Sequence, residues 1–380
     1  MGDYTREIGL ALRGQGCQVH VLTSVQGGEV PGLTVHPVIE KWDWGSWQLI
    51  LKLIRQHRPD VIHVQYQAAA YAMHPAINLL PWRVRRLGTG RPRTAVTFHD
   101  LKVPYLFPKA GPLRRWVVNE LARHSDAAIT TNREDFEALR HVLPAPPALI
   151  PIGSNIAPNP PAGYDRDAWR ARWGARPEDL LLCFFGFVNA RKGVDTLLRA
   201  VSLLASDPGS SGHPLLLMIG GQTGSSDPTN VAYLAGIWTL IGELGLENHV
   251  RWSGHLPPEE VSASFLAADV CALPFHDGAS FLHGTFHAAL AHGVPVITTR
   301  PRLPLPELVD GRNIRLVPPQ DPRALAQAMR ELGGAPKLRQ TLGAGAKALA
   351  EQFRWEKIAA DTLELYRAIG CLDTDGRLSP

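Results

Sequence analysis

One segment, Leu273 to Thr299, limits the folds open to this chain more than any other. An apolar strand-like run, Val270–Leu273, empties into a polar loop, and a short helix begins near Gly284. Gly293 ends that helix, and Val294–Thr299 is apolar and β-branched. A strand apolar on both faces must be covered on both, which is the habit of parallel sheets. The helix between the strands presents unpaired backbone N–H groups at its first turn, and its dipole favours an anion there, phosphate above all.

The same alternation runs through the chain and predicts an α/β protein with helices on both faces of parallel sheets. In the first half the strands are Val19–Thr23, Val61–Gln65, Thr94–Phe98, Ala127–Thr131 and Ala148–Ile150, with helices at Trp47–Arg55, Arg114–His124 and Glu134–Val142. A Pro-rich stretch from Pro144 to Pro161 breaks the rhythm like a hinge. Beyond it come strands Leu180–Phe185, Leu215–Ile219 and Val250–Ser253, and helices Val194–Leu204, Val231–Leu244 and Pro258–Ala268. A length of 380 residues exceeds one ordinary core. The expectation is therefore two doubly wound, Rossmann-like domains facing across a cleft. They occupy residues 1–155 and 178–354, with a linker at 156–177, a C-terminal helix at 355–370 and a loose tail at 371–380.

The first element is out of order. Asp3–Arg13 is an amphipathic helix with Ile8, Ala11 and Leu12 on one face, whereas a doubly wound domain begins with a strand. The first strand of the N-terminal domain is expected to be missing, through a truncated or misassigned start. Cys17, Cys183, Cys271 and Cys371 have no metal-like or redox-like spacing and suit thiols in a reducing cytoplasm. No apolar run reaches the length of a membrane span, and the N-terminus lacks a signal pattern.

Charge is uneven. Residues 1–150 hold 18 of the 39 Lys and Arg but only 12 of the 35 Asp and Glu, which points to an anionic partner for the first half. Trp82, Arg83, Arg85, Arg86, Arg91 and Arg93 crowd together, with Lys109, Arg114, Arg115 and Trp116 further on. They make either a solvated helix end or a peripheral contact with anionic lipid headgroups on the inner face of a membrane. Nucleic acid is not expected, since no aromatic platform accompanies the charge.

Several strings, in their order, carry a resemblance. They are Gly2-Asp3-Tyr4-Thr5, Val19-His20-Val21-Leu22-Thr23, Pro59-Asp60-Val61-Ile62-His63-Val64-Gln65 and Thr97-Phe98-His99-Asp100. The second half adds the run from Phe184 to Gly193, Val250-Arg251-Trp252-Ser253-Gly254, the 270–299 segment and Phe353-Arg354-Trp355-Glu356. Together they resemble the retaining, nucleotide-sugar-dependent glycosyltransferases of the GT-B fold, family four, over nearly the whole chain.

The resemblance implies transfer of a sugar from a nucleotide diphosphate sugar to an acceptor (a glycan, a lipid-linked or a small molecule), with retained configuration and no metal cofactor. It implies that Lys192 and Arg191 stabilise the departing diphosphate, with Gly186 in the same strand-end loop, and that His99 lies near the reacting sugar. Gly2 and Tyr4 are implied to approach the phosphates or the acceptor. The chain departs from the pattern where Phe187 replaces an arginine after the glycine, and where Ala279 and His287 replace two glutamates eight positions apart. Ser280, His283, Gly284, Thr285 and His287 then remain to bind the donor, through hydroxyls, imidazoles and backbone N–H groups. Loss of those carboxylates leaves an alternative: a catalytically inactive binding or scaffold protein of the same shape. A metal site made of His276, His283, His287 and His292 is not expected, since no Glu base lies among them and the helix turns His292 away from His287.

Overall fold

The computed structural model describes residues 1–101, 111–207, 212–222 and 228–370, with the side chains of residues 111, 114 and 228 excepted. Lys109, the side chain of Arg114 and the tail from Cys371 therefore lie outside the described residues. The chain divides into two compact units, residues 1–153 with 354–380, and residues 154–353.

The first unit opens with α1 (Gly2–Gly14), followed by β1 (His20–Ser24), β2 (Thr34–Ile39), α2 (Ser46–His57), β3 (Val61–Tyr66) and α3 (Leu80–Arg85). It continues through β4 (Arg93–Phe98), α4 (Gly111–His124), β5 (Ala127–Thr130), α5 (Arg133–Arg140) and β6 (Ala148–Leu149). All its paired strands are parallel, but they form two sheets: β1 with β2, and β3-β4-β5-β6. No hydrogen-bonded ladder joins β1 to β3 among the described residues. The four-stranded sheet is covered on both faces, and strand parity decides which face each residue meets. In β4, Ala95 packs with Tyr4, Ile8 and Leu12 of α1, whereas Val96 and Phe98 pack with Ile50 and Ile54 of α2 and with Leu121.

The second unit contains α6 (Arg166–Arg172), β7 (Leu180–Phe185), α7 (Val194–Ala205), β8 (Pro214–Ile219), α8 (Pro228–Glu243), β9 (Val250–Trp252), α9 (Pro258–Ala267) and β10 (Val270–Leu273). It closes with α10 (Gly284–Ala291), β11 (Val296–Thr299), β12 (Arg315–Val317), α11 (Pro322–Gly334) and α12 (Pro336–Ala350). Its parallel sheet runs β12-β11-β10-β7-β8-β9, a doubly wound order that reverses direction between β7 and β10. These two strands carry fully buried Leu181, Leu182, Cys271 and Ala272, as expected of a sheet covered on both faces. The final helix, α13 (Trp355–Ala368), returns to the first unit, where Ile358, Ala359, Leu363 and Tyr366 join the α1 core. No helix among the described residues is long and apolar enough to cross a membrane.

The stretch between the first unit and β7 is held by one buried cation. Arg170 of α6 is 2% exposed, and its guanidinium donates to the carbonyls of Ala267, Arg176 and Asp179 and, at 2.9 Å, to Asp269. Asp269 also accepts from the Leu181 N–H and pairs with Arg166. A neutral side chain at 170 would leave three carbonyls and part of a carboxylate without their donor. The expected loss for Arg170→Met is about 3 kcal/mol of unfolding free energy, read by denaturant titration of the full chain. An unchanged midpoint would show that this buried cation contributes nothing net.

Candidate functional site

The reversal of strand order between β7 and β10 opens a crevice at the carboxyl ends of the strands, the usual place for a ligand in such a sheet. The two loops leaving β7 and β10 meet there. After β7, Gly186 takes φ 113°, and Asn189 caps a single 3-10 turn, its side chain accepting from the Arg191 N–H at 3.1 Å. Gly193 then turns left-handed at φ 66° to start α7. A Cβ on Gly193 would penetrate the Pro274 carbonyl and the His276 ring, so the loops touch at a point where only glycine fits. The His276 N–H donates to the Arg191 carbonyl at 2.8 Å, which fastens them from the other side.

This junction positions Lys192. A Cβ built on Gly186 would overlap the Lys192 ammonium and the Thr285 methyl, so ammonium, strand-end glycine and first turn of α10 converge. Lys192 makes no ion pair among the described residues, and burial lowers its pKa to about 8. It remains largely protonated at pH 7, though closer to its titration than an exposed lysine, and is set beside a helix N-terminus that already favours negative charge. Arg191 contributes its carbonyl to the junction, while its side chain is exposed.

The residues from Asp277 to His287 divide between lining and scaffolding. The Ser280 hydroxyl accepts from the Leu282 N–H at 3.2 Å and its carbonyl accepts from the His283 N–H, so Ser280 shapes the loop. His283 precedes α10, stacks on Phe275 with centroids 4.0 Å apart, and lies 3.9 Å from Asp277. Gly284 opens the eight-residue helix, and the buried Thr285 hydroxyl has no hydrogen-bond partner among the described residues. His287 is turned into the core: it is 1% exposed, its Nε2–H donates to the Phe281 carbonyl at 2.8 Å, and its ring meets Phe353 edge-on. Burial lowers its pKa to about 4, so it is neutral. The four histidines of this stretch do not converge. His276 faces Thr196 and Asp195, and His292 bonds Ser262 and the Ala288 carbonyl.

In the first unit, His99 directly follows β4. Its Nε2 faces Gln65 Oε1 at 3.0 Å, and Tyr4 meets it edge-on at 4.5 Å. Burial, with smaller contributions from the N-terminal amine and His63, lowers its pKa to about 3. Tyr4 is 8% exposed and also packs on Trp355, whereas Gly2 lies exposed at the start of α1. Beneath His99 runs a neutral polar chain. His63 bonds the Tyr366 hydroxyl at 2.6 Å and the Thr97 hydroxyl at 2.7 Å, and burial lowers its pKa to about 4. Gln65, His63 and Tyr366 escaped the sequence reading. The placing of His63 and Gln65 two apart on β3 was the available signal, since it puts both on one face.

A separate pocket of about 510 Å³ in the first unit is lined by Ser24, Gln26, Glu40, Lys41, Trp42, Asp43, Ala69, Ala70, Ala72 and His74. These residues end or follow β1, β2 and β3. The arginine cluster is largely committed elsewhere. Arg91 makes a two-pronged contact with Asp126 at 2.7 and 2.6 Å, Arg85 lies 3.6 Å from the same carboxylate, and Arg86 stacks over Trp82. Burial alone would raise the Asp126 pKa, but hydrogen bonds from Arg91 and Thr94 outweigh it and hold the carboxyl at about 2.

Two family models match the chain, one described as glycosyl transferase 4-like domain over residues 1–153 and one as glycosyl transferases group 1 over residues 179–333. A D-inositol 3-phosphate glycosyltransferase of Streptomyces scabiei is 32% identical over 254 residues, covering 66% of this chain and 55% of that protein. The chain thus spans about half the length of the first curated relatives it matches. Among solved structures, sucrose-phosphate synthase of Thermosynechococcus elongatus superposes with a TM-score of 0.71 at 24% identity, covering 96% of this chain and 92% of that one. HepE of Anabaena, solved with UDP and glucose, gives 0.73 at 17% identity over 97% and 96%. At these identities what is shared is the fold, the pair of Rossmann-like units called GT-B.

The buried imidazoles give the fold an acid limit. In the unfolded chain each histidine protonates near pH ~6.5. In the folded chain His63 and His287 stay neutral to about 4 and His99 to about 3. Across that window the unfolded state binds more protons, so stability falls as pH falls from about 6.5 towards 4. Thermal unfolding should show Tm dropping on the acid side, less steeply in a His63→Gln, His287→Gln variant. A Tm independent of pH across this window would contradict the assigned neutral states.

Proposed function

The chain belongs to the group 1 glycosyl transferases, and from that membership we propose that it moves a sugar from a nucleotide diphosphate sugar to an acceptor hydroxyl with retention at the anomeric carbon. The bond from the anomeric carbon to the diphosphate oxygen breaks, and a new bond to the acceptor oxygen forms. The acceptor proton leaves, and the nucleoside diphosphate departs with the electron pair. The charge developing on that diphosphate is the electrostatic problem of the step.

The observation that carries the reading is the convergence of Lys192, Gly186 and Thr285. An ammonium without a carboxylate partner, a strand end without a side chain and a helix N-terminus address one anion together. Gly186 admits the diphosphate close to the backbone, Lys192 and the N–H groups of Gly284 and Thr285 hold its oxygens, and the Thr285 hydroxyl supplies a further donor. Arg191 adds positive charge at the rim. No metal is assigned to the transfer. A UDP-linked donor is favoured by the likeness to HepE solved with UDP and glucose.

His99 is assigned to a sugar hydroxyl. Being neutral at pH 7, it can orient a hydroxyl without adding charge. The pocket beyond β1, β2 and β3 is assigned to the acceptor. With Glu40 and Asp43 against Lys41, it suits a neutral polyhydroxyl compound better than a phosphorylated one. No observation favours the non-catalytic reading.

Lys192→Ala should lower kcat with a UDP-sugar donor by on the order of 100-fold, the usual effect of removing one donor to a developing anion. Lys192→Arg should recover part of it. Activity of the parent chain should decline as pH rises through about 8, where the ammonium loses its proton. Release of UDP from a panel of UDP-sugars measures both. Turnover unchanged in Lys192→Ala would remove the assignment.

A further inference from the structure

Outside the donor loops, three imidazoles meet in the first unit. His20 is the first residue of β1, His36 lies within β2, and His57 is the last residue of α2. Strand register explains the first two: His36 pairs with Leu22, so His20 and His36 lie on one face, offset by two positions. Their rings are parallel, 5.3 Å apart, and His20 Nδ1 faces His36 Nε2 at 3.0 Å. His57 closes the triangle, with its ring 4.5 Å from His20 and 5.1 Å from His36. One nitrogen from each side chain lies within 4.8 Å of the other two, and no other such group of His, Cys, Asp or Glu occurs among the described residues.

We propose that His20, His36 and His57 form a three-histidine site for a divalent transition-metal ion of the zinc class. Three nitrogens bound at about 2.0–2.1 Å around a tetrahedral ion stand about 3.4 Å apart. Small ring movements reach that spacing from the present triangle, shortening the longer separations and opening the 3.0 Å one. The 3.0 Å contact now uses one proton between two facing nitrogens. A metal takes its place when both rings adopt the tautomer that turns a lone pair inward, with no proton released. Imidazole nitrogen is a ligand for zinc, copper and nickel and a poor one for magnesium or calcium.

The place of the triangle indicates its role. His20 begins its strand and His57 precedes β3, so the ion lies at the amino ends of the strands. The pocket of Ser24 and Trp42 lies past their carboxyl ends. The ion therefore acts as a clip, fastening β1 and β2 to α2, where β1 and β2 hydrogen-bond to each other but, among the described residues, to no other strand. His57 is exposed, leaving the fourth coordination position to water.

The full chain, stripped of metal, is titrated with zinc against a chromophoric chelator, and in parallel with cobalt. One zinc equivalent is expected in the parent chain and none above background in His57→Gln or His36→Gln. The cobalt form should show the intense visible absorption of a four-coordinate ion. Zinc should also raise the Tm of the parent chain and not that of His57→Gln, whose exposed position spares the fold. Equal zinc binding by parent and variants, or a pale six-coordinate cobalt spectrum, overturns the site.

Discussion

The second unit depends on one contact that tolerates no side chain, where Gly193 meets the Pro274 carbonyl. β7 and β10 are neighbours in the sheet, but adjacency alone leaves their loops free to splay. The left-handed turn at Gly193 and the His276 to Arg191 hydrogen bond weld them. The weld orients the residue just before the glycine, which is Lys192. It also places α10, entered from the second loop, within reach of that lysine. A lysine on an independent loop would seek water, since a half-buried ammonium without a counter-ion is costly. Here the packing of two loops holds it against that cost.

Within each unit, buried histidines are arranged to stay neutral. His287 gives its one proton to the Phe281 carbonyl, and His63 is satisfied by Thr97 and Tyr366. Burial keeps each uncharged, because a second proton would put charge where neither water nor carboxylate can answer it. The consequence for His287 is structural. It stands where the family resemblance implies a glutamate, yet its bond to the loop and its contact with Phe353 make it a rivet between α10 and the loop before it. The features to which the proposed function assigns the anion do not depend on this position, because they reside in the backbone and in Lys192.

The parallel strands and the helix start at Gly284 were legible because their signals are local: apolar β-branched runs, caps and glycines. β7 and β10 were read to the residue. β2 was missed because an edge strand with Pro37 and a half-exposed pattern lacks the alternation that announces a strand. α3 and α6, of six and seven residues, are too short for a helical period to emerge. Relations between distant residues were illegible for a different reason. Nothing local in His20, His36 and His57 indicates that strand register and a helix end bring them together. The burial of His287 likewise depends on Phe353, which lies 66 positions away.

Charge shows the same contrast between bulk and local reasoning. The excess of Lys and Arg in residues 1–150 suggested an anionic partner there. Two of those arginines neutralise Asp126 instead, a third stacks on Trp82, and the pocket of that unit carries two carboxylates for one lysine. The second half of the sequence, with slightly more acid than base, holds the lysine that converges with a strand end and a helix N-terminus. Exposed charges fade over about 8 Å of physiological salt, whereas a half-buried one is screened far less. A single lysine fixed by backbone packing can therefore outweigh a surface excess several times larger. The proposed anion site is placed by the weld at Gly193, and the net charge of a domain says little about it.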